Sequence, residues 1–288
     1  MIQSMIEHQR VLRARPFCSD SLSADPVAPP ATPALELRDV AVSLAGRSIL
    51  HDVNLSVAPG ESIALIGQSG GGKSVLLRVI LGLLRPSSGE VALWGSEVAR
   101  APEAEWNVAR RRIGCVFQSG ALFDSVSVFD NVAFPLREER VPEDQIASIV
   151  AERLEWVDLA AHADRFPDEL SGGMRRRVAV ARTLAARPEL ILYDEPTTGL
   201  DPLTGRSISE LIARLAARTG AASILVTHDL QSAQIVAPRW AFLSEGTIVA
   251  DGPPSLVAGH PHGAAFVDAY GWVGQSSVVR PGPTGGGR

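Results

Sequence analysis

Eight consecutive residues, Gly67-Gln68-Ser69-Gly70-Gly71-Gly72-Lys73-Ser74, have the types and spacing for phosphate chemistry. They fit the P-loop pattern G-x-x-x-x-G-K-[ST]. They also lie between an apolar run, Ser62 to Ile66, and a helix-like one, Val75 to Leu84, the strand before and helix after that give the pattern its meaning. Glycines let successive backbone N–H groups turn inward around an anion, and the following helix points its unpaired N–H groups and positive dipole end at the same place. Lys73 would meet the β- and γ-phosphates, where each unit charge pair at ~4 Å and an effective dielectric near 20 is worth ~4 kcal/mol before desolvation. Ser74 would offer its hydroxyl to Mg²⁺. Of 27 Lys and Arg residues, Lys73 is the only lysine, so a chain that otherwise uses arginine has a compact ammonium where this chemistry wants one.

Further polar candidates sit where apolar runs end. Gln118 follows Ile113 to Phe117, Asp194 and Glu195 follow Glu189 to Tyr193, and His228 follows Ala222 to Thr227. Open α/β sheets bind ligands at such strand ends. Ser171 precedes Gly172 and Gly173 at the start of an Arg- and Ala-rich run to Arg187, as an N-cap would, with two glycines leaving N–H groups uncovered at the positive helix end. A lone Gln or His proves nothing. An acidic pair can be a solvated strand end, but an apolar strand leading straight into Asp194-Glu195-Pro196 disfavours that reading.

The elements that must position these residues follow from periodicity. Leu35 to Val42 and Ile49 to Val57 alternate as antiparallel strands around a turn at Ala45-Gly46-Arg47, and Glu90 to Trp94 adds a strand after Pro86-Ser87-Ser88-Gly89. This predicts an opening third made of one mixed sheet on the phosphate-binding helix. Pro102 to Arg112, Val126 to Leu136 and Pro142 to Val157 read as helices, the last two as part of a mostly α insertion. Strand and helix then alternate from Glu189 through a hairpin at Glu245-Gly246, as in a parallel sheet. One short helix, Gly263 to Tyr270, is expected in the remaining Pro253 to Arg288, with a Gly/Pro-rich tail. A metal role for His260 and His262, which flank Pro261, is disfavoured.

With 288 residues, 45% of them hydrophobic, the chain can bury one large core or two modest ones. A net charge of −5 gives no support to nucleic-acid binding, and the short clusters Arg110-Arg111-Arg112 and Arg175-Arg176-Arg177 read as solvated helix faces. Two cysteines, Cys18 and Cys115, form no disulfide framework, which points to a reducing compartment. Met1 to Pro33 lacks the apolar core of a secretory signal and reads as a disordered leader, or as a start codon placed too early, with a transit peptide as a distant alternative. No run reaches the ~18 apolar residues of a spanning helix, so any membrane role would need another chain to span.

Taken in order, Gly67 to Ser74, Gln118, Leu170-Ser171-Gly172-Gly173-Met174, Leu190 to Glu195, Gly199-Leu200-Asp201 and His228 resemble the motif set of the nucleotide-binding subunit of an ABC transporter. The likeness runs from about Leu35 to about Gly252. It implies an α/β P-loop NTPase fold with a mixed sheet core, an antiparallel β subdomain and an inserted α-helical subdomain at about 119–187. It also implies ATP and Mg²⁺, with Asp194, Ser74 and Gln118 around the metal, Glu195 accepting a proton from or polarising the attacking water, and His228 contacting the γ-phosphate. Ser171, Gly172 and Gly173 would bind the γ-phosphate held by a second copy in a head-to-tail homodimer, with Asp201 at the seam. Two departures stand out. Met174 replaces the usual Gln, and Leu44 aligns where many relatives stack an aromatic on adenine.

Within that family, Phe117 to Asp124 and Val128 to Arg137 resemble the Mla-type ATPases that power MCE-protein lipid transporters. This narrower likeness implies a phospholipid cargo, an integral-membrane permease, an MCE substrate-binding protein with a small STAS-domain subunit as an optional member, and a cytoplasmic position on the inner face of the inner membrane. In such relatives the C-terminal extension reaches the opposite subunit, and Gly263 to Trp272 would either do so or form a loosely packed tail. The alternatives are an ABC ATPase for amino acids, lipoproteins or a cell-division complex, a soluble ABC protein of translation or DNA repair, and a regulator that does not turn over. The single P-loop, acidic balance and lack of a coiled-coil insertion disfavour the soluble protein, and the set Glu195, His228 and Gln118 disfavours the regulator.

Overall fold

The computed structural model describes residues 32–270; residues 1–31 of the leader, Cys18 among them, and Trp272 with the Gly/Pro-rich tail lie outside them. The strands are β1 (Leu35–Leu44), β2 (Arg47–Val57), β3 (Ser62–Ile66), β4 (Ser88–Leu93), β5 (Ser96–Glu97), β6 (Ile113–Val116), β7 (Leu190–Asp194), β8 (Ala222–Thr227), β9 (Arg239–Ser244) and β10 (Thr247–Gly252). They form two sheets. The first is antiparallel in the order β2-β1-β4-β5, and the second runs β10-β9-β3-β8-β7-β6. The opening third is therefore not one mixed sheet, as its alternation suggested. β3 leaves its sequence neighbours and pairs in parallel with β8 and β9, because Ile63, Ala64, Leu65 and Ile66 are all fully buried and need a two-faced core. β1, β2 and β4 each keep one wetter face and stay antiparallel.

The helices are α1 (Lys73–Ile80), α2 (Glu103–Arg110), α3 (Val128–Glu138), α4 (Glu143–Trp156), α5 (Gly172–Ala185), α6 (Pro202–Thr219), α7 (Leu230–Val236), α8 (Pro254–Gly259) and α9 (Pro261–Ala269). Between β6 and β7 the chain forms only helices and 3₁₀ turns, with α3, α4 and α5 packed on one another through Val132, Leu136, Val150, Leu154 and Val178. Ser127 caps α3 by accepting from the Asp130 N–H at 3.1 Å. Buried Asn131 holds the preceding loop, accepting from Phe123 N at 2.9 Å and donating to Phe123 O and Ser127 O at 3.0 Å each. Where one short helix was expected after Pro253 there are two, each with proline in its first turn, where a missing N–H costs nothing. α8 is too short for its apolar spacing to declare it.

In the second sheet β3, β8, β7 and β6 are consecutive and parallel, so their C-terminal ends lie along one edge. That edge receives Gly67 from β3, His228 just beyond β8, Asp194 and Glu195 from β7, and Gln118 just beyond β6. Residues as much as 161 positions apart in sequence meet there by strand order alone, as the bond between Ser223 and Ser62 at the opposite end of β8 and β3 illustrates.

Candidate functional site

The loop at the end of β3 is shaped by backbone that side chains would obstruct. Gly67 has φ +155°, and a Cβ there would meet Leu243 O at 2.2 Å. Gly72, at φ +102°, has Leu50 Cδ2 2.7 Å from the same construction and stands as the N-cap of α1 with no side chain capping it. α1 thus begins at Lys73, two residues before the apolar periodicity starts, and its first N–H groups face the cleft uncovered. A helix N-terminus in this state suits an anion.

A cleft of about 570 Å³ is lined by Ser69, Gly70, Gly72, Lys73 and Ser74 from this loop, by Gln118, Glu195 and His228 from the neighbouring strand ends, and by Ile49, Val75, Thr198 and Val226. Lys73 is 7% exposed, and its ammonium donates to Gly67 O at 2.7 Å and Gln68 O at 3.0 Å. Burial lowers its pKa, against the pull of Glu195 and Asp194. The Asp194 carboxyl moves the other way, raised by burial and by the adjacent Glu195 charge, with Lys73 and Arg78 opposing. Asp194 lines an adjoining pocket with Gln118, Ser119 and Thr198 rather than the cleft itself, and a cation in a glycine loop with an anion beside it, both made uneasy by desolvation, fit a Mg²⁺-nucleotide. The metal would satisfy the carboxylate and the phosphates the ammonium.

Glu195 occupies the left-handed region at φ +48°, unusual for a non-glycine residue and worth of order 1–3 kcal/mol of strain. Its own N–H is fixed to Val226 O at 2.9 Å, so β7 and β8 hold the conformation between them. Both carboxylate oxygens are engaged: Oε1 lies 2.9 Å from His228 Nδ1, and Oε2 accepts from Thr198 Oγ1 at 3.0 Å. Each oxygen keeps a further lone pair for a water proton.

Ser171, Gly172 and Gly173 do not line this cleft. They sit at the start of α5, where Ser171 Oγ accepts from Met174 N at 3.2 Å and keeps its own proton to donate. A Cβ on Gly173 would meet Thr204 Cγ2 at 2.6 Å, and one on Gly172 would meet Leu200 Cδ2 at 3.2 Å, so this turn packs on the segment carrying Asp201. Asp201 caps α6 by accepting from Thr204 N at 3.0 Å, and hydrogen bonding from Thr204, its side chain first and its backbone N–H second, lowers the Asp201 pKa. A second cavity, of about 440 Å³, lies between Thr198, Asp201 and Arg206 on one side and His228, Asp229 and Ser232 on the other. Leu44, at the end of β1, is 38% exposed and is not among the residues lining the 570 Å³ cleft; Ile49 is the β2 residue that lines it.

Two residues at the site carry no sequence signal of their own. Thr198 lies in a run of small polar residues after the acidic pair, and only its contact with Glu195 marks it. Arg176, expected on a solvated helix face, is 6% exposed. It donates to Phe117 O at 2.8 Å and reaches Thr198 O at 3.5 Å, tying α5 to the segments bearing Gln118 and Glu195. Alternate burial within Arg175-Arg176-Arg177 follows from helix periodicity, since α5 has only one outward face.

The family model described as ABC transporter matches residues 50–198. The chain is 41% identical over 219 residues to the intermembrane phospholipid transport system ATP-binding protein MlaF of Haemophilus influenzae, covering 76% of this chain and 83% of that protein. It is 43% identical over 213 residues to the methionine import ATP-binding protein MetN 1 of Burkholderia pseudomallei, covering 74% of this chain and 62% of that one. Among solved structures, the dimeric post-hydrolysis state of the ATP-binding cassette MJ0796, bound to ADP and Pi, superposes with a TM-score of 0.69 at 32% identity, covering 76% of this chain and 98% of the cassette.

Proposed function

The chain belongs to the ABC transporter family as an ATP-hydrolysing subunit, and we propose that the cargo it powers is phospholipid. Supporting this is the surface between β6 and α3. Phe123 and Phe134 stand exposed there with ring centroids 4.7 Å apart, and Phe117 is exposed nearby, in the stretch that resembles Mla-type ATPases. Apolar rings left open to water at a loop fixed from beneath by Asn131 fit a membrane-embedded permease as partner. The 41% identity to MlaF of Haemophilus influenzae agrees with this assignment. An MCE substrate-binding protein, with a STAS-domain subunit as an optional member, completes the proposed complex, in which this chain lies on the cytoplasmic, inner face of the inner membrane.

In the proposed cycle Lys73 releases the loop carbonyls and binds the β- and γ-phosphates. Asp194, Ser74 and Gln118 would hold Mg²⁺, whose chemistry there would be to neutralise charge on the transferring phosphoryl group. Glu195 accepts the proton of the attacking water. His228, with Nδ1 committed to Glu195, keeps Nε2 for the γ-phosphate. Ser171, Gly172 and Gly173, standing apart from their own chain's cleft, close over the nucleotide of a second copy, with Asp201 at the seam. We take about 119–187 as the helical subdomain that carries this closure.

Purification from native membranes tests the cargo. Recovery with a permease, an MCE protein and phospholipid supports the reading; recovery with a periplasmic amino-acid-binding protein overturns it in favour of an importer of the MetN kind.

A further inference from the structure

α9 is not a loose appendage. Phe266 is 2% exposed and packs on Phe242 of β9 with ring centroids 5.2 Å apart, and Val267 beside it is 5% exposed. Gly263 brings the helix so close to α8 that a Cβ would fall 1.9 Å from Val257 O. These contacts fix where the helix ends, and it ends on Tyr270. That ring rests against Phe266 at 4.5 Å and lies 6.1 Å from the His228 ring at 56°, within the range of a tilted aromatic pair. His228 is the residue whose Nδ1 meets Glu195.

Resting on the reading of Glu195 and His228 given above, we propose that Tyr270 is a positioning residue for ATP hydrolysis, its ring limiting rotation of the His228 imidazole so that Nδ1 stays on Glu195. An imidazole attached by two rotatable bonds, with its side chain 37% exposed, has few other restraints. The Glu195 bond fixes one edge, and the Tyr270 ring stands near the imidazole as a second restraint. The C-terminal segment thereby acts in its own subunit, on the partner of Glu195, whatever it reaches in a second copy.

The phenol hydroxyl has no part in this, and Tyr270→Phe separates ring from hydroxyl. In the full-length chain, Tyr270→Ala should lower kcat for ATP about three- to tenfold, the size of a ring-pair effect, with KM for ATP unchanged, while Tyr270→Phe keeps the wild-type kcat. Tyr270 is half exposed and Phe266 stays anchored, so folding is preserved. The His228 ring-proton resonances, assigned by their loss in His228→Ala, should shift in Tyr270→Ala and stay near wild type in Tyr270→Phe. Unchanged kcat and unshifted resonances in Tyr270→Ala overturn the proposal. If His228→Ala itself hydrolyses ATP like the wild type, the role of His228 fails, and this inference with it. If His228→Ala is inactive and Tyr270→Ala is normal, only the inference fails.

Discussion

His228 Nδ1 lies 2.9 Å from Glu195 Oε1, although the two residues sit on adjacent strand ends 33 positions apart. The contact ties the proposed proton acceptor to the group that would face the γ-phosphate. Glu195→Gln preserves shape and removes proton acceptance. Phosphate release should fall ~10²–10⁴-fold, the usual worth of a general base, while ATP binding survives and the nucleotide-bound dimer persists. Phosphate-release kinetics beside a nucleotide titration checks this; wild-type turnover in the variant removes Glu195 from the role.

Thr198 supplies the other restraint, donating to Oε2 at 3.0 Å. Thr198→Val keeps the volume and deletes the donor, and a hydrogen bond worth ~1 kcal/mol net corresponds to roughly a fivefold loss in kcat. Thr198→Ser should restore the rate. Equal turnover in the valine variant would show that the bond does not position the carboxylate.

Among the described residues the Lys73 ammonium bonds only loop carbonyls, and burial lowers its pKa, so its contribution to the nucleotide-free fold is small. Lys73→Ala should leave the thermal midpoint without nucleotide nearly unchanged yet abolish most of the rise that Mg²⁺-ATP produces, with affinity down at least ~10-fold, or ~1.4 kcal/mol. Thermal-shift titration reads both. An undiminished nucleotide-dependent rise contradicts the P-loop assignment.

How much of this was legible follows from the physics of each residue. Gly67, Gly72 and Lys73 were readable because their requirements are local: positive φ, close backbone approach and a cation at a helix start. The meeting of Gln118, Glu195 and His228 was readable only as strand ends that a parallel sheet aligns. The order β3-β8-β7-β6, which makes them neighbours, is set by long-range pairing that periodicity does not encode. The same limit hid the departure of β3 from the antiparallel sheet. Thr198, Arg176 and Tyr270 were invisible for a further reason. A threonine among small residues, an arginine within an arginine run and a tyrosine at a helix end have no distinguishing pattern until packing fixes what each touches.

Cys115 turns the electrostatics of the site into a chemical readout. It lies on β6 beside β7, and burial, followed by the negative charge of Asp194, pushes its thiol up to about 12. Only the thiolate is nucleophilic, so at pH 8 roughly one thiol in 10⁴ is reactive, against about a quarter for an ordinary thiol near 8.5. In a Cys18→Ser background, iodoacetamide should label the native chain about a thousandfold more slowly than the urea-unfolded chain. The native rate should climb about tenfold per pH unit towards 12, because deprotonation is the limiting quantity. Labelling of the folded chain at the unfolded rate would contradict this. Asp194→Asn removes the neighbouring charge, lowers the thiol pKa and should speed native labelling at fixed pH. Since Asp194 is itself raised by burial, the folded state pays for ionising it at neutral pH, and stability rises as pH falls through its folded pKa. The same Asp194→Asn substitution should therefore raise the thermal midpoint of the nucleotide-free chain at pH 7 while Mg²⁺-dependent hydrolysis is lost, an opposition of stability and activity measurable in one variant.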